Sequence, residues 1–231
     1  MGRSAGGDRV EIASTPMRQT LGMATPGTGS ISLPAVDDGT LHALLRSRRS
    51  TKNFANRAVS LPELASLLTA AAGETGSGHR AIPSARASYP VSVTVIAGRV
   101  DGLDAGAYRY DPGTQHLVGV VPGDHRPSLA GVTLDADWMA DCPLLLLLSA
   151  DLRGARSRFT DQPPEHGERF VWLEAGCMAQ NVYLWAGEHR LGAVLIAGLD
   201  DARACEATAG LLPHGHDLLG ILPVGHPVST S

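Results

Sequence analysis

The chain has no excess of basic residues: 19 Lys and Arg stand against 23 Asp and Glu, for a formal net charge of −4. That balance argues against nucleic acid as the main partner, because no basic stripe is present to neutralise phosphates and release counterions. Cysteine is also scarce. Cys142, Cys177 and Cys205 form neither a CxxC pair nor an even disulfide set, which points to a reducing compartment, the cytoplasm. Long apolar runs are missing. The longest, 144–148, falls far short of the roughly 20 residues that cross a bilayer, so no membrane partner is expected. The N-terminal stretch lacks an apolar core segment, so no secretory signal is expected. Several catalytic signatures are absent as well. There is no GxGxxG after a strand, no Walker loop, and no GxSxG or SxxK serine. His214-Gly215-His216 has no third ligand at a useful spacing, so no metal site is expected.

What remains is an ordinary globular composition. With 231 residues and 43% apolar residues, the chain can build one good-sized core. Residues 1–36 are rich in Gly, Ser, Thr and Pro and read as a flexible N-terminal arm. Residues 37–231 read as the folded domain. A first helix is expected over 37–50, with Leu41, Leu44 and Leu45 on one face. A second starts at the capping box Ser60-Leu61-Pro62-Glu63 and ends at Gly73. Residues 73–89 form a loop, and 91–97 a β-branched strand. The 107–121 stretch reads as two strands joined by an Asp-Pro-Gly turn. A helix is expected over 128–141. Residues 143–150 form a strand apolar on both faces, hence central. Residues 151–167 are polar, broken by Pro and Gly, and read as a long loop. The strongest helix spans 168–190 and is apolar around most of its circumference, which places it in a core or at a subunit interface. Strands over 191–197 and 218–224 flank a helix over 201–212. The fold class is α+β, with a central mixed sheet flanked by helices.

Four segments could carry chemistry. Arg48-Arg49-Ser50-Thr51-Lys52 concentrates three cations and two hydroxyls after a helix, a set suited to phosphate. The plainer alternative is a solvated helix C-terminus, where cations complement the dipole. Pro83-Ser84-Ala85 lies in a proline-framed stretch of small residues that lets a flat ligand approach the backbone, or is simply a loop entering a strand. Glu174, Gln180 and Asn181 are polar groups on the apolar long helix. They need partners, either a ligand or one another. His226 follows a glycine where the last strand ends.

The order of these segments resembles the nitroreductase superfamily, and within it the SagB-type (thiazole oxidase-like) dehydrogenases. RRSTKNF resembles the RRSxRxF opening motif, and LPELASLLTAA its second helix. IPSARASYP resembles a PSAGALYP segment. GLDAGAYRYDPGTQHL resembles the branch's GLxxGxYxYDPxxHxL hairpin. LEAGCMAQNVYLWAGEHRLGAV resembles its long helix, and VGHP its terminal VGxP. The resemblance covers roughly residues 41–228. It implies a nitroreductase-like fold, an intertwined homodimer, and FMN bound without a covalent link. Arg48, Arg49 and Ser50 would hold the phosphate and ribityl chain. Lys52 would approach the flavin N1/O2 edge. Pro83, Ser84 and Ala85 would lie against the ring. Asn181 would contribute from the long helix, Ile196, Ala197 and Gly198 would offer backbone donors, and His226 would stand where the family often has a phosphate-binding Arg. No residue is assigned as catalytic.

Three departures stand out. Arg86 replaces the glycine of PSAG, and Cys177 replaces the histidine of LEAGH. Azoline-oxidising members carry a Lys-Tyr pair before the long helix, whereas the nearest segment here is Arg156-Ser157-Arg158-Phe159. Arginine is too basic for a general base, and Phe has no hydroxyl. The resemblance implies an FMN-dependent oxidoreductase moving hydride to or from a small or peptidic natural-product substrate. One alternative is an NAD(P)H-dependent reductase of nitroaromatic or quinone-type acceptors. An alternative of another class is a non-catalytic flavin-binding scaffold.

Overall fold

The computed structural model describes residues 30–35, 39–76, 78–133 and 136–228. Contacts divide the chain into residues 1–37 and 38–231, and the architecture given below is that of the second unit. The arm expected over 1–36 lies outside the described residues except for 30–35.

One six-stranded sheet organises the unit. Its strands are β1 (Ser92–Ala97), β2 (Gly106–Asp111), β3 (His116–Pro122), β4 (Leu144–Ala150), β5 (Gly192–Ala193) and β6 (Asp217–Gly225), in the order β3-β2-β1-β4-β6-β5. The ladders between neighbouring strands are antiparallel. A parallel bridge from Ser50 to Ala193 at the edge makes the sheet mixed. β4 is central because alternate residues feed two cores. Leu144, Leu146 and Leu148 pack with α2 (Leu61–Ala72) and α5 (Pro164–Glu188). Leu145 and Leu147 pack on the other face with Leu129, Met139 and Ala204. Such period-two alternation between two covered faces leaves no position in the strand for a polar side chain until Ser149.

Local chemistry sets several elements. The Ser60 hydroxyl accepts from the Glu63 amide, and the Glu63 carboxylate accepts from the Ser60 amide, so the expected capping box starts α2. The β2–β3 hairpin turns where the Asp111 carboxylate accepts from the Gly113 amide and the Thr114 hydroxyl. α1 (Thr40–Ser47) is shorter than the 37–50 expected, and Asp37 and Asp38 lie outside the described residues.

The structure corrects several expectations, and the first is the loop over 73–89, which contains an antiparallel pairing of Glu74–Gly76 with His79–Arg80. The stretch 151–167 is not one long loop. It contains α4 (Leu152–Arg158), capped by Asp151, whose carboxylate accepts from the Gly154 amide at 2.7 Å, and α5 begins at Pro164. α4 is pressed so closely on α5 that a Cβ on Gly167 would lie 1.9 Å from the Ala155 carbonyl oxygen. The helix expected over 128–141 is instead α3 (Arg126–Ala130) followed by a 3-10 turn, Asp137–Asp141. The Thr133 hydroxyl donates to the Ala130 carbonyl, closing the end of α3. The strand expected over 191–197 forms a ladder only at Gly192–Ala193; beyond it the Val194 amide donates to the Pro223 carbonyl and Ile196 bridges Ile221, while the Leu195 amide, on the open side, donates to the Tyr183 hydroxyl. α6 (Asp201–Ala207) precedes β6. No helix among the described residues is long and apolar enough to cross a membrane.

Cys142 sits in this core. Its thiol donates to the Leu144 and Val224 carbonyls, and burial pushes it up to about 12. A thiol without thiolate character is a poor nucleophile. A disulfide reagent is therefore expected to modify exposed Cys205 in the native protein and to reach Cys142 only after denaturation. Equal native rates at Cys142 and Cys205, measured by mass spectrometry, would contradict the packing described.

Candidate functional site

The cationic segment begins where α1 stops. Arg48 is the C-cap and lies over the Tyr183 ring, 5.1 Å from its centroid. Arg49 turns one guanidinium nitrogen back onto the Arg46 and Arg48 carbonyls, at 2.8 Å each. That contact satisfies carbonyls left open at the helix end and fixes the fork, leaving its other nitrogens for a ligand. Ser50 Oγ lies 3.2 Å from the Tyr183 hydroxyl, which also accepts from the Leu195 amide at 2.9 Å. Beyond it the chain is stitched to two strand ends. The Thr51 amide donates to the Ala193 carbonyl, the Ala55 amide to the His226 carbonyl, and the Val228 amide to the Asn53 carbonyl.

A cavity of about 950 Å³ opens along this segment, lined by Arg49, Ser50, Lys52 and Phe54 together with Trp138 and Asp141. Its size is in the range of small-molecule and cofactor sites. Two cations and a hydroxyl at one wall suit an anionic group, and the Phe54–Trp138 ring pair, 5.9 Å between centroids, offers apolar surface. His226 stands just behind. Its ring is buried, its Nε2 has no hydrogen-bond partner among the described residues, and it lies 4.0 Å from Glu63 Oε1.

The second cluster sits on another part of α5. Ser84 Oγ accepts from the Tyr89 amide at 2.8 Å. Glu174 is 3% exposed, and its Oε1 accepts from the Val91 amide at 3.1 Å. Burial pushes its carboxyl above the ordinary carboxylate range, against the opposing pull of the Ser84 and Val91 hydrogen bonds. Pro83 is exposed, and Ala85 opens a 3-10 turn in which Arg86 takes φ +53° and Ala87 φ +52°. These are left-handed backbone positions that glycine adopts at least cost. Arg86 is held there by Asp161 at 2.6 Å and by the Phe159 ring below it at 5.4 Å. Arg156 pairs with Glu168, and Phe159 packs edge-on against Phe170, so the segment in place of Lys-Tyr fastens α4 to α5.

Glu174 and Tyr183 anchor the two clusters nine residues apart on α5, a rise of roughly 14 Å. Among the described residues, the cavity beside Arg49 is not lined by Pro83, Ser84 or Ala85. Two expected site residues turn out to be occupied. Both hydrogen bonds from the Asn181 amide go to the Ala70 and Ala81 carbonyls at 3.0 Å, so its donors tie α5 to α2. The Ile196 amide and carbonyl both pair with Ile221, so its amide is not a free donor, whereas Ala197 and Gly198 are exposed. Sequence reasoning missed Tyr183, Trp138 and Asp141. Tyr183 lies on a helix whose sequence is mostly apolar, but its hydroxyl requires a partner wherever the ring is partly buried.

Comparison with known proteins gives a consistent result. The nitroreductase family model matches residues 45–226. A nitroreductase-family protein of Methanocaldococcus jannaschii is 31% identical over 202 residues, covering 87% of this chain and 98% of that one. A solved structure of a nitroreductase-family protein from Ralstonia eutropha JMP134 is 30% identical, with a TM-score of 0.67, covering 87% of this chain and 90% of that one. The E. coli microcin synthetase McbBCD complex, with truncated pro-MccB17 bound, contains a chain of the same fold. It is 21% identical with a TM-score of 0.69, covering 96% of this chain and 85% of that one.

Proposed function

The chain belongs to the nitroreductase family, and from that premise we propose that it is an FMN-dependent oxidoreductase, a SagB-type dehydrogenase of a small or peptidic natural-product substrate, working as a homodimer. The observation that carries this reading is the cavity in which Arg49, Ser50 and Lys52 share one wall. Arg49 and Ser50 bind the phosphate end. Lys52 places a cation where negative charge develops on the ring. Ser84 and Ala85 supply a flat, small-residue surface, held from behind by Glu174. When bound, FMN supplies the hydride chemistry that no side chain of the protein can.

The homodimer reading rests on α5. One face buries Val171, Ala175, Met178 and Val182, yet Trp172 and Leu173 on other faces are 46% and 61% exposed. Exposed apolar residues on the longest helix suit an interface between copies. A second copy would also explain why the two ligand-facing clusters stand apart on α5. The peptide bound in the microcin synthetase complex favours a peptidic substrate here.

One observation favours a second reading, an NAD(P)H-dependent nitroreductase or quinone-type reductase. Arg156 and Phe159 are committed to structural contacts, leaving no proton-abstracting pair in the place where azoline-oxidising relatives hold one. The visible spectrum of the purified protein, recorded before and after anaerobic NADPH, separates the readings. Bleaching of a flavin spectrum indicates the reductase. A flavin spectrum unmoved by NADPH but bleached by a heterocycle-bearing peptide indicates the dehydrogenase. Bound flavin bleached by neither would leave a scaffold. Arg49→Ala and Lys52→Ala are each expected to weaken FMN binding about tenfold, or in the Lys52 case to shift its reduction, since a charge-assisted contact contributes roughly 1.5–3 kcal/mol. Unchanged affinity and unchanged redox behaviour in both variants would remove the site assignment.

A further inference from the structure

The β2–β3 hairpin contributes nothing to the cavity beside Arg49, yet it forms one side of a second cavity of about 340 Å³, closed on the other side by α2. The walls are largely apolar: Leu64 and Leu68 from α2, and Leu103 and Leu117 across from them. Tyr110 also lines it. This residue is 7% exposed, and its hydroxyl has no hydrogen-bond partner among the described residues. The Thr69 hydroxyl in the same wall donates to the Ala65 carbonyl. Ala65, Gln115 and His116 are exposed and mark the open side.

We propose that this cavity is a binding site for a small, mostly apolar molecule bearing one neutral acceptor oxygen, of the ketone or ether class. An apolar enclosure with a single convergent polar group is the usual form of a small-molecule site. A buried hydroxyl without a partner is costly, and an acceptor oxygen on a ligand removes that cost. Among the described residues, no lysine or arginine lines the cavity wall to neutralise an anion, so the oxygen is uncharged. The Tyr110 phenol stays protonated as the donor, because burial pushes it above the ordinary tyrosine range, against the weaker pull of the neighbouring Thr69 and Arg80. The site shares no lining residue with the cavity beside Arg49, so it stands or falls independently of the FMN reading.

Benzophenone and diphenylmethane, which differ only in the carbonyl, are suitable probes. Benzophenone also labels nearby C–H bonds on illumination. Calorimetry is expected to show saturable binding of benzophenone, with photolabel on peptides spanning 61–69 and 103–117. Tyr110→Phe is expected to weaken benzophenone about five- to tenfold, the range of one hydrogen bond, and to leave diphenylmethane unchanged. Ala65→Trp, at an exposed helix position, should fill the open side and abolish both without unfolding the chain. Absence of saturable binding would overturn the proposal. So would label confined to residues 49–54, or equal losses of both probes in Tyr110→Phe.

Discussion

A Gly192→Ala variant is expected to fold and to bind the proposed FMN cofactor at least tenfold more weakly than the parent chain. A Cβ built on Gly192 would lie 2.5 Å from Thr51 Cβ and Cγ2, and 2.7 Å from its Oγ1. These atoms are at the root of a branched side chain, so no rotamer change relieves the overlap. Either β5 or the 50–52 segment must move. β5 is held by β6 through Val224 and Gly225, whereas residues 50–52 are held by the Ser50–Ala193 bridge with its Thr51–Ala193 hydrogen bond and by the Ser50–Tyr183 contact alone. The segment therefore yields. Its release costs about 1–3 kcal/mol, the usual range for overpacking, and leaves the sheet intact. The same release separates Ser50 from Tyr183 and lets Lys52 move away from the cavity wall. A cofactor must then reorder the segment as it binds, and each 1.4 kcal/mol of ordering is a tenfold loss of affinity. Thr51→Gly removes every atom in the overlap, so the Gly192→Ala/Thr51→Gly double variant should recover much of the binding. Flavin fluorescence titration of the three variants checks this. Full affinity in Gly192→Ala, or no recovery in the double variant, would separate the segment's position from ligand binding.

How much of this could be read in advance differs from element to element. α2 was legible because its start is coded locally: Ser60 and Glu63 satisfy each other's amides without help from the rest of the chain. The β2–β3 turn was legible for the same reason, through Asp111 and Gly113. β4 was legible because leucine on both faces fits only a strand covered on both sides. α4 was not, since Leu152–Arg158 carries a glycine and little apolar period. What fixes it is Asp151 at its start and the close approach to Gly167 of α5, a tertiary contact invisible in a window of sequence. The candidate site divides in the same way. The cations at 48–52 and the small residues at 83–85 announce themselves by composition. Asn181 carried two equally good readings, and the Ala70 and Ala81 carbonyls that its amide nitrogen meets lie far away in sequence, where no local pattern points to them. Tyr183 joins Ser50 to Leu195 across the fold, a link set by the register of α5 against β5 and by nothing local to any of the three.

Glu174 separates charge from hydrogen bonding in a way that two substitutions can measure. Glu174→Ala is expected to destabilise the protein by about 2–4 kcal/mol, because it opens a buried space and strips the acceptor from the buried Val91 amide. Glu174→Gln keeps an oxygen for Val91 and should be far milder. The pH dependence then identifies the role of the charge. Burial raises the folded-state pKa of Glu174 above its ordinary value, so the folded chain holds this proton more tightly than the unfolded one. The resulting stability is complete below the unfolded pKa, about 4.3, and is lost as pH rises through the folded value. Glutamine has no proton to lose. The melting temperature of Glu174→Gln relative to the parent chain should therefore rise as pH increases above about 4. Arg80 and Arg158 act in the opposite sense, favouring the ionised form. A difference that stays flat, or that turns in favour of the parent chain at higher pH, would mean that the Ser84 and Val91 hydrogen bonds, together with these two arginines, outweigh burial. In that case Ser84 and its neighbours would rest on an ionised carboxylate, and a ligand lying against Pro83–Ala85 would meet a negative field from behind rather than a neutral hydrogen-bonding support.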